Sequence, residues 1–289
     1  MSLHVLDMVG HITFIITICL SISSVCTSFS SFMNASNHVS VCVYNRDRER
    51  TSKNICSIHP VITGATDGIG KRYAEILASK GMHIVLLSRS EPKLMKVAEE
   101  ILTKYNVETR WVAVDFSKGP EIYQMIREKI EGLDIGILVN NVGYYPEVRS
   151  FDRNTEDEII STININILST TMMTRIVLPG MKQRRRGIIV NISSIGCYRP
   201  AAFLNMYASA KAFVTNFSLA LNHELIGKGV KCQAVVPGMT HTNMIKHLEE
   251  DIPWYVGVTT VDSLAKFGIF SLGKTAHTTG GWKHTLQVL

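Results

Sequence analysis

The chain has 289 residues, 46% hydrophobic and 19% charged, which excludes a disordered protein and suffices for one α/β domain with a full core. Its 30 Lys and Arg against 24 Asp and Glu leave a net charge of +6, suited to nucleotide phosphates, coenzyme A or an anionic membrane face. No basic stripe interleaved with aromatics argues for nucleic acid, and no Cys or His pair has the spacing of metal ligands, so no metal is expected.

Residues Val9 to Phe29 contain one ionisable side chain, His11, and are long enough to cross a bilayer. Arg46, Arg48, Arg50 and Lys53 follow, against Asp47 and Glu49, whereas no Lys or Arg precedes the segment. The positive-inside tendency then puts the C-terminal side in the cytosol. A cleaved signal peptide is the rival reading, but its positive n-region is missing from the first eight residues. Residues 1–33 are therefore expected to be a membrane anchor, 34–58 a linker and 59–289 the folded domain. Cys19, Cys26, Cys42 and Cys56 precede that domain, which argues against a disulfide framework and for a reduced compartment.

Pro60 to Thr63 is a short apolar run leading into Gly64-Ala65-Thr66-Asp67-Gly68-Ile69-Gly70. A loop of this spacing, after a strand and opening a helix, lets backbone N–H groups approach a pyrophosphate. The helix follows, with Ile69, Tyr73, Ile76 and Leu77 on one face and Gly81 at its end. His83 to Ser88 is the next buried strand. A carboxylate at its end would bind the adenosine ribose 2′-hydroxyl, whereas an Arg accommodates a 2′-phosphate. Ser88-Arg89 stands there, with no acid before Glu91, which favours NADP(H) over NAD.

Further strands are expected at Thr109 to Val114, with Asp115 at its end, and at Ile135 to Val139, which runs into Asn140-Asn141-Val142-Gly143. Thr155 to Met181 carries one long amphipathic helical pattern, and the cations Lys182, Arg184, Arg185 and Arg186 suit its C-terminus. Gly187 to Ser193 and Val230 to Val236 are the last two strands, followed by Ser194 and by Pro237-Gly238-Met239-Thr240-His241-Thr242. These polar clusters fall on the same sheet edge as the Gly-rich loop, so a shared cleft is expected. The segment Asn243 to Phe270 is apolar enough either to cover a greasy substrate or to pack against the sheet edge. The fold expected is a single Rossmann-type doubly wound parallel sheet with helices on both faces, preceded by the anchor.

Ser194, Tyr207 and Lys211 are the candidates for the chemistry, against the plain reading of Tyr207 and Lys211 as an exposed helical pair. On a helix, Tyr207 and Lys211 lie one turn apart on the same face. A free tyrosine titrates near pH 10, and a fixed ammonium beside it is expected to favour the phenolate and make it an acid–base group.

With these motifs in order, the chain resembles the short-chain dehydrogenase/reductase family from about Val61 onward. The likeness rests on T-G-x-x-x-G-x-G at Thr63 to Gly70, N-N-x-G at Asn140 to Gly143, Ser194, Y-x-x-x-K at Tyr207 to Lys211 and Pro237-Gly238. Ser88-Arg89, Asn-Asn-Val-Gly and Leu178-Pro179-Gly180-Met181 make it similar to the membrane-anchored branch of very-long-chain 3-oxoacyl-CoA reductases and 17β-hydroxysteroid dehydrogenases. The resemblance implies Tyr207 as proton donor to a carbonyl, Ser194 as its hydrogen-bond partner, Lys211 as the group that lowers the Tyr207 pKa and holds the nicotinamide ribose, and Asn166 as holder of a relay water. It implies cofactor contacts at Gly64, Asp67, Gly68, Ile69, Gly70, Ser88, Arg89, Asp115, Asn141, Gly143, Pro237, Gly238, Thr240 and Thr242, besides Tyr207 and Lys211. It also implies an acyl-CoA or steroid substrate, an endoplasmic reticulum membrane location, pairing of two copies through the long helices, and a further C-terminal segment in relatives beyond the position of Leu289. One relative in the branch has lost the tyrosine, so a non-catalytic NADP-binding scaffold is the alternative. A secreted glycoprotein would use the sequons at Asn34, Asn191 and Asn216, of which the last two fall inside the expected fold.

Overall fold

The computed structural model describes residues 58–245 and 258–281. The expected anchor, residues 34–57 of the linker and the middle of the apolar segment after Asn243 lie outside the described residues. Among the described residues, no helix is long and apolar enough to cross a membrane.

Strands β1 (Val61–Thr63), β2 (Ile84–Ser88), β3 (Thr109–Ala113), β4 (Ile137–Asn140), β5 (Gly187–Ile192), β6 (Val230–Val235) and β7 (His277–Thr278) form one sheet. Their order is β3-β2-β1-β4-β5-β6-β7, and every pairing is parallel. Parallel strands need crossovers, and helices supply them: α1 (Gly68–Ala78), α2 (Glu91–Tyr105), α3 (Ile122–Ile130), α4 (Glu156–Ile163), α5 (Ser169–Gln183), α6 (Asn205–Glu224) and α7 (Val261–Phe270). Both sheet faces are covered, which is why β1, β2, β4 and β5 read as continuous apolar runs. On one face Val61, Val85, Leu138 and Ile189 pack with Tyr123 and Ile126 of α3, Met173 and Val177 of α5 and Leu221 of α6. The intervening strand residues, Ile62, Leu86 and Val139, are equally buried. Pro60 stands just before β1, where its missing N–H costs no ladder bond, and its carbonyl accepts from the Val85 amide at 2.9 Å. The strand order reverses between β1 and β4, and in such sheets the crevice beyond the carboxyl ends of those strands is where ligands bind.

One expectation is corrected. The single helix from Thr155 to Met181 is three pieces: α4, a π-helical turn at Asn164–Leu168, and α5. A π turn adds one residue without interrupting the helical chain, so the amphipathic pattern runs on across it. Thr155 caps α4 through a reciprocal bond with Glu158. At the far end the cationic cluster is partnered: Arg184 and Arg186 both pair with Asp134, and Arg184 donates to the Ile135 carbonyl at 2.9 Å.

Asn140 and Asn191 sit opposite each other in adjacent strands, with the Asn140 amide donating to Asn191 Oδ1 at 2.8 Å. Asn191 in turn donates to Ser218 Oγ at 2.8 Å and is 0% exposed, so its sequon is closed to a glycan. The expected lid splits in function at α7, whose Leu264 and Ile269 are core residues; there, packing is the correct reading.

Candidate active site

Gly64 and Gly68 take positive φ values of 63° and 51°, which carry the chain out of β1 and into α1. Gly70 answers a different need. A β-carbon there would collide with the Asn141 amide and lie 2.5 Å from the Gly64 carbonyl oxygen. Asn141 braces the loop by donating to the carbonyls of Thr63 at 3.0 Å and Gly64 at 3.1 Å. Thr63 Oγ1 reciprocates, accepting from the amides of Asn141 and Val142 at 2.9 and 3.0 Å. The result is an α1 N-terminus without a side-chain cap and without an acid in its first turn. Its backbone N–H groups are free for an anion such as a pyrophosphate.

That terminus opens on a cavity of about 340 Å³. Gly64, Asp67, Gly68, Ile69, Asn141 and Gly143 line one side of it. Ser194, Tyr207, Lys211, Pro237, Gly238, Thr240 and Thr242 line the other, so these distant stretches meet as the sequence expects. Leu204, Met239, Met244 and Ile245 make much of the remaining wall apolar. Five expected residues lie outside the cavity. Gly70 is behind the loop, and Ser88 Oγ meets Thr66 Oγ1 at 2.9 Å at the end of β2. Arg89 is exposed beside it, and Asp115 stands at the end of the neighbouring strand. Burial acts to raise the Asp115 pKa, but the Ser117 amide and hydroxyl, with Arg89 and Lys118, outweigh it and hold the carboxyl below its usual range. Asn166 lies in the π turn, 1% exposed, and grips the backbone of Tyr144: its Nδ2 donates to the carbonyl at 2.9 Å and its Oδ1 accepts from the amide at 3.0 Å. Asn164 turns instead to the Ser117 carbonyl at 2.9 Å, which leaves Asn166 as the asparagine beside the site.

Ser194 caps the short 3₁₀ turn Ile195–Cys197, accepting from the Gly196 amide at 3.2 Å. Tyr207 and Lys211 occupy successive turns of α6. Lys211 is 5% exposed, and its ammonium donates to the Ile192 carbonyl at 3.0 Å. An ammonium has three donors, so a buried one with a single protein acceptor among the described residues suits a ligand rich in hydroxyls, such as a ribose. The ammonium lies 5.7 Å from the centre of the Tyr207 ring.

The expected electrostatics are corrected here. Burial, not the neighbouring ammonium, dominates Tyr207 and pushes its pKa up to about 12, with the Ser194 hydroxyl pulling the other way. Burial likewise brings Lys211 down to about 8. Among the described residues the Lys211 ammonium donates to the Ile192 carbonyl and not to the phenol. A phenol held this high stays protonated at neutral pH, the form from which a proton can pass to a substrate oxygen. Sequence reasoning missed Tyr145, which lines the cavity and meets Tyr207 edge-on; it sits in Y-Y-P directly after N-N-V-G, a position without periodicity to single it out.

Comparison with known proteins agrees with this construction. Residues 59–253 match the short chain dehydrogenase family. The chain is 43% identical over 232 residues to the Homo sapiens protein named inactive hydroxysteroid dehydrogenase-like protein 1, covering 79% of this chain and 70% of that one. It is 44% identical over 230 residues to the very-long-chain 3-oxoacyl-CoA reductase of Mus musculus, covering 78% and 72%. Among solved structures, a short-chain dehydrogenase from Sphingobium yanoikuyae in complex with NADPH matches with a TM-score of 0.68 and 30% identity over 74% of this chain and 83% of that one. The chain belongs to the short-chain dehydrogenase family.

Proposed function

We propose that the protein is an NADP(H)-dependent oxidoreductase that reduces a ketone on a lipid-like substrate, either a 3-oxoacyl-CoA or a 17-ketosteroid. One observation carries the reading: Ser194, Tyr207 and the buried Lys211 converge on a largely apolar cavity that also receives the uncapped N-terminus of α1. The NADPH of the Sphingobium yanoikuyae neighbour and the name of the Mus musculus relative support the cofactor and the substrate class. Reduced nicotinamide supplies the hydride when bound. Tyr207 donates its proton to the substrate carbonyl oxygen, and the Ser194 hydroxyl stabilises the charge that develops there. The amides of Gly68 to Gly70 hold the pyrophosphate, Lys211 holds ribose hydroxyls, and the exposed Arg89 at the end of β2 takes the 2′-phosphate. We assign Val9 to Phe29 as the anchor in the endoplasmic reticulum membrane, with the catalytic domain toward the cytosol.

A second reading, a non-catalytic NADP-binding scaffold, is favoured by the word inactive in the name of the human relative. Tyr207, Ser194 and Lys211 are all in place here, which supports the enzyme. Full-length protein assayed with NADPH against long-chain 3-oxoacyl-CoA thioesters and 17-ketosteroids should consume NADPH with one class and use NADH less well. NADPH binding without turnover of any ketone supports the scaffold instead.

A further inference from the structure

We infer that Tyr145 is a positioning residue for Tyr207 and one wall of the substrate pocket. The inference rests on the reading of Tyr207 as proton donor. The two rings meet edge to face, with centroids 4.9 Å apart and planes at 68°, a preferred geometry for an aromatic pair. Tyr145 also lines the same cavity as Ser194 and Lys211.

Tyr207 also has Ser194 beside its hydroxyl and Gly196 beside its ring. The Lys211 ammonium donates to the Ile192 carbonyl and not to the phenol. On the side of Ser194 the Gly196 backbone runs beside the ring without a side chain, and a β-carbon built there would come to 3.8 Å from it, an ordinary packing distance. The Tyr145 ring adds an aromatic contact to these, and it is the contact that sets the tilt of the Tyr207 ring in the cleft. Tyr145 is itself fixed, although residues 141–147 form no helix or strand. The two-way bond between Asn166 and the Tyr144 backbone ties the loop down immediately before it. The order of dependence runs from the π turn, through Asn166 and the Tyr144 peptide, to the Tyr145 ring and then to Tyr207. Among the described residues the Tyr145 hydroxyl makes no hydrogen bond, so the ring and not the hydroxyl does the positioning.

A displaced acid slows proton transfer without weakening the nucleotide site. In the full-length protein reducing its best ketone with NADPH, Tyr145→Ala should lower kcat about tenfold and leave KM for NADPH within about twofold. The solvent isotope effect on kcat should rise, because transfer from the misplaced phenol becomes slower. A loss of folded enzyme would lower kcat and leave that isotope effect unchanged. Tyr145→Phe should recover most of the lost kcat, and Tyr145→Leu serves if the alanine variant does not fold. The inference is overturned if Tyr145→Ala keeps wild-type kcat, if its isotope effect is unchanged, or if Tyr145→Phe is as poor as Tyr145→Ala. Tyr207→Phe assayed alongside separates the failures. A dead Tyr207→Phe with a fully active Tyr145→Ala sinks this inference alone, whereas wild-type turnover by Tyr207→Phe, or no turnover by the wild type, removes the proton-donor reading and the inference with it.

Discussion

The two sides of the cleft are built by opposite means. On the β1 side the working groups are backbone amides, exposed by the absence of side chains at Gly64, Gly68 and Gly70 and braced by Thr63 and Asn141. On the β5 side the working groups are side chains, and burial drives Lys211 down to about 8, at a cost to its charged form, and Tyr207 up to about 12, which keeps it neutral. Neutral amides at a solvent-open helix terminus cost the fold little, whereas a buried ammonium with one acceptor destabilises the fold that holds it. The first side is thus expected to be sensitive to added volume, and the second to changes of charge.

Lys211→Met tests this difference hardest. Ketone reduction should fall by about a hundredfold or more, since a charge-assisted contact to the ribose is lost next to the proton donor. Stability should move the other way. Lowering a lysine from 10.5 to about 8 corresponds to about 3 kcal/mol of penalty on its charged form, so the variant should be more stable than wild type at pH 7 by about 2 kcal/mol after loss of the Ile192 bond. The sign reverses the usual expectation for a buried substitution. Because the folded pKa lies below the unfolded one, the unfolded state binds more protons between about pH 8 and 10.5. Wild-type stability should accordingly gain on the variant as pH rises through that window. Denaturant melts at pH 7 and pH 10 read both effects, and a variant less stable than wild type at pH 7 would break the comparison.

Gly70→Ala probes the other side with a single methyl group. Its β-carbon must displace both the Asn141 amide and the Gly64 carbonyl, at a cost of about 1–3 kcal/mol for an overpacked site. Thermal melts should register that loss, and NADPH titration should register a weaker affinity, with no change in the pH dependence of stability. An alanine variant that binds NADPH as wild type does would mean that the loop is looser than its hydrogen bonds imply.

The nucleotide side was the more legible of the two in the sequence. Glycines at fixed spacing between an apolar run and a helical pattern state a backbone conformation directly, and Thr63, Asn141 and Gly143 fall at strand ends where polar residues have few other reasons to be. Ser194, Tyr207 and Lys211 were legible as residues but not as electrostatics. Which acceptor a buried ammonium finds depends on tertiary packing, and here the carbonyl of Ile192, the last residue of β5, takes the Lys211 N–H. The π turn was hidden because one extra residue leaves apolar positions on the same face, so Asn166 was identified without the turn that carries it. Tyr145 was hidden more completely, since a loop residue's partner is set by what ties down the loop, here Asn166 from another element.

The central claim is that the proton leaves from Tyr207. Tyr207→Phe should bind NADPH about as tightly as wild type, since the ring and the Gly-rich loop are unchanged, and should lose ketone reduction by about 10²- to 10⁴-fold, the usual worth of a positioned acid. Reduction at the wild-type rate by a variant that binds NADPH normally would contradict the account.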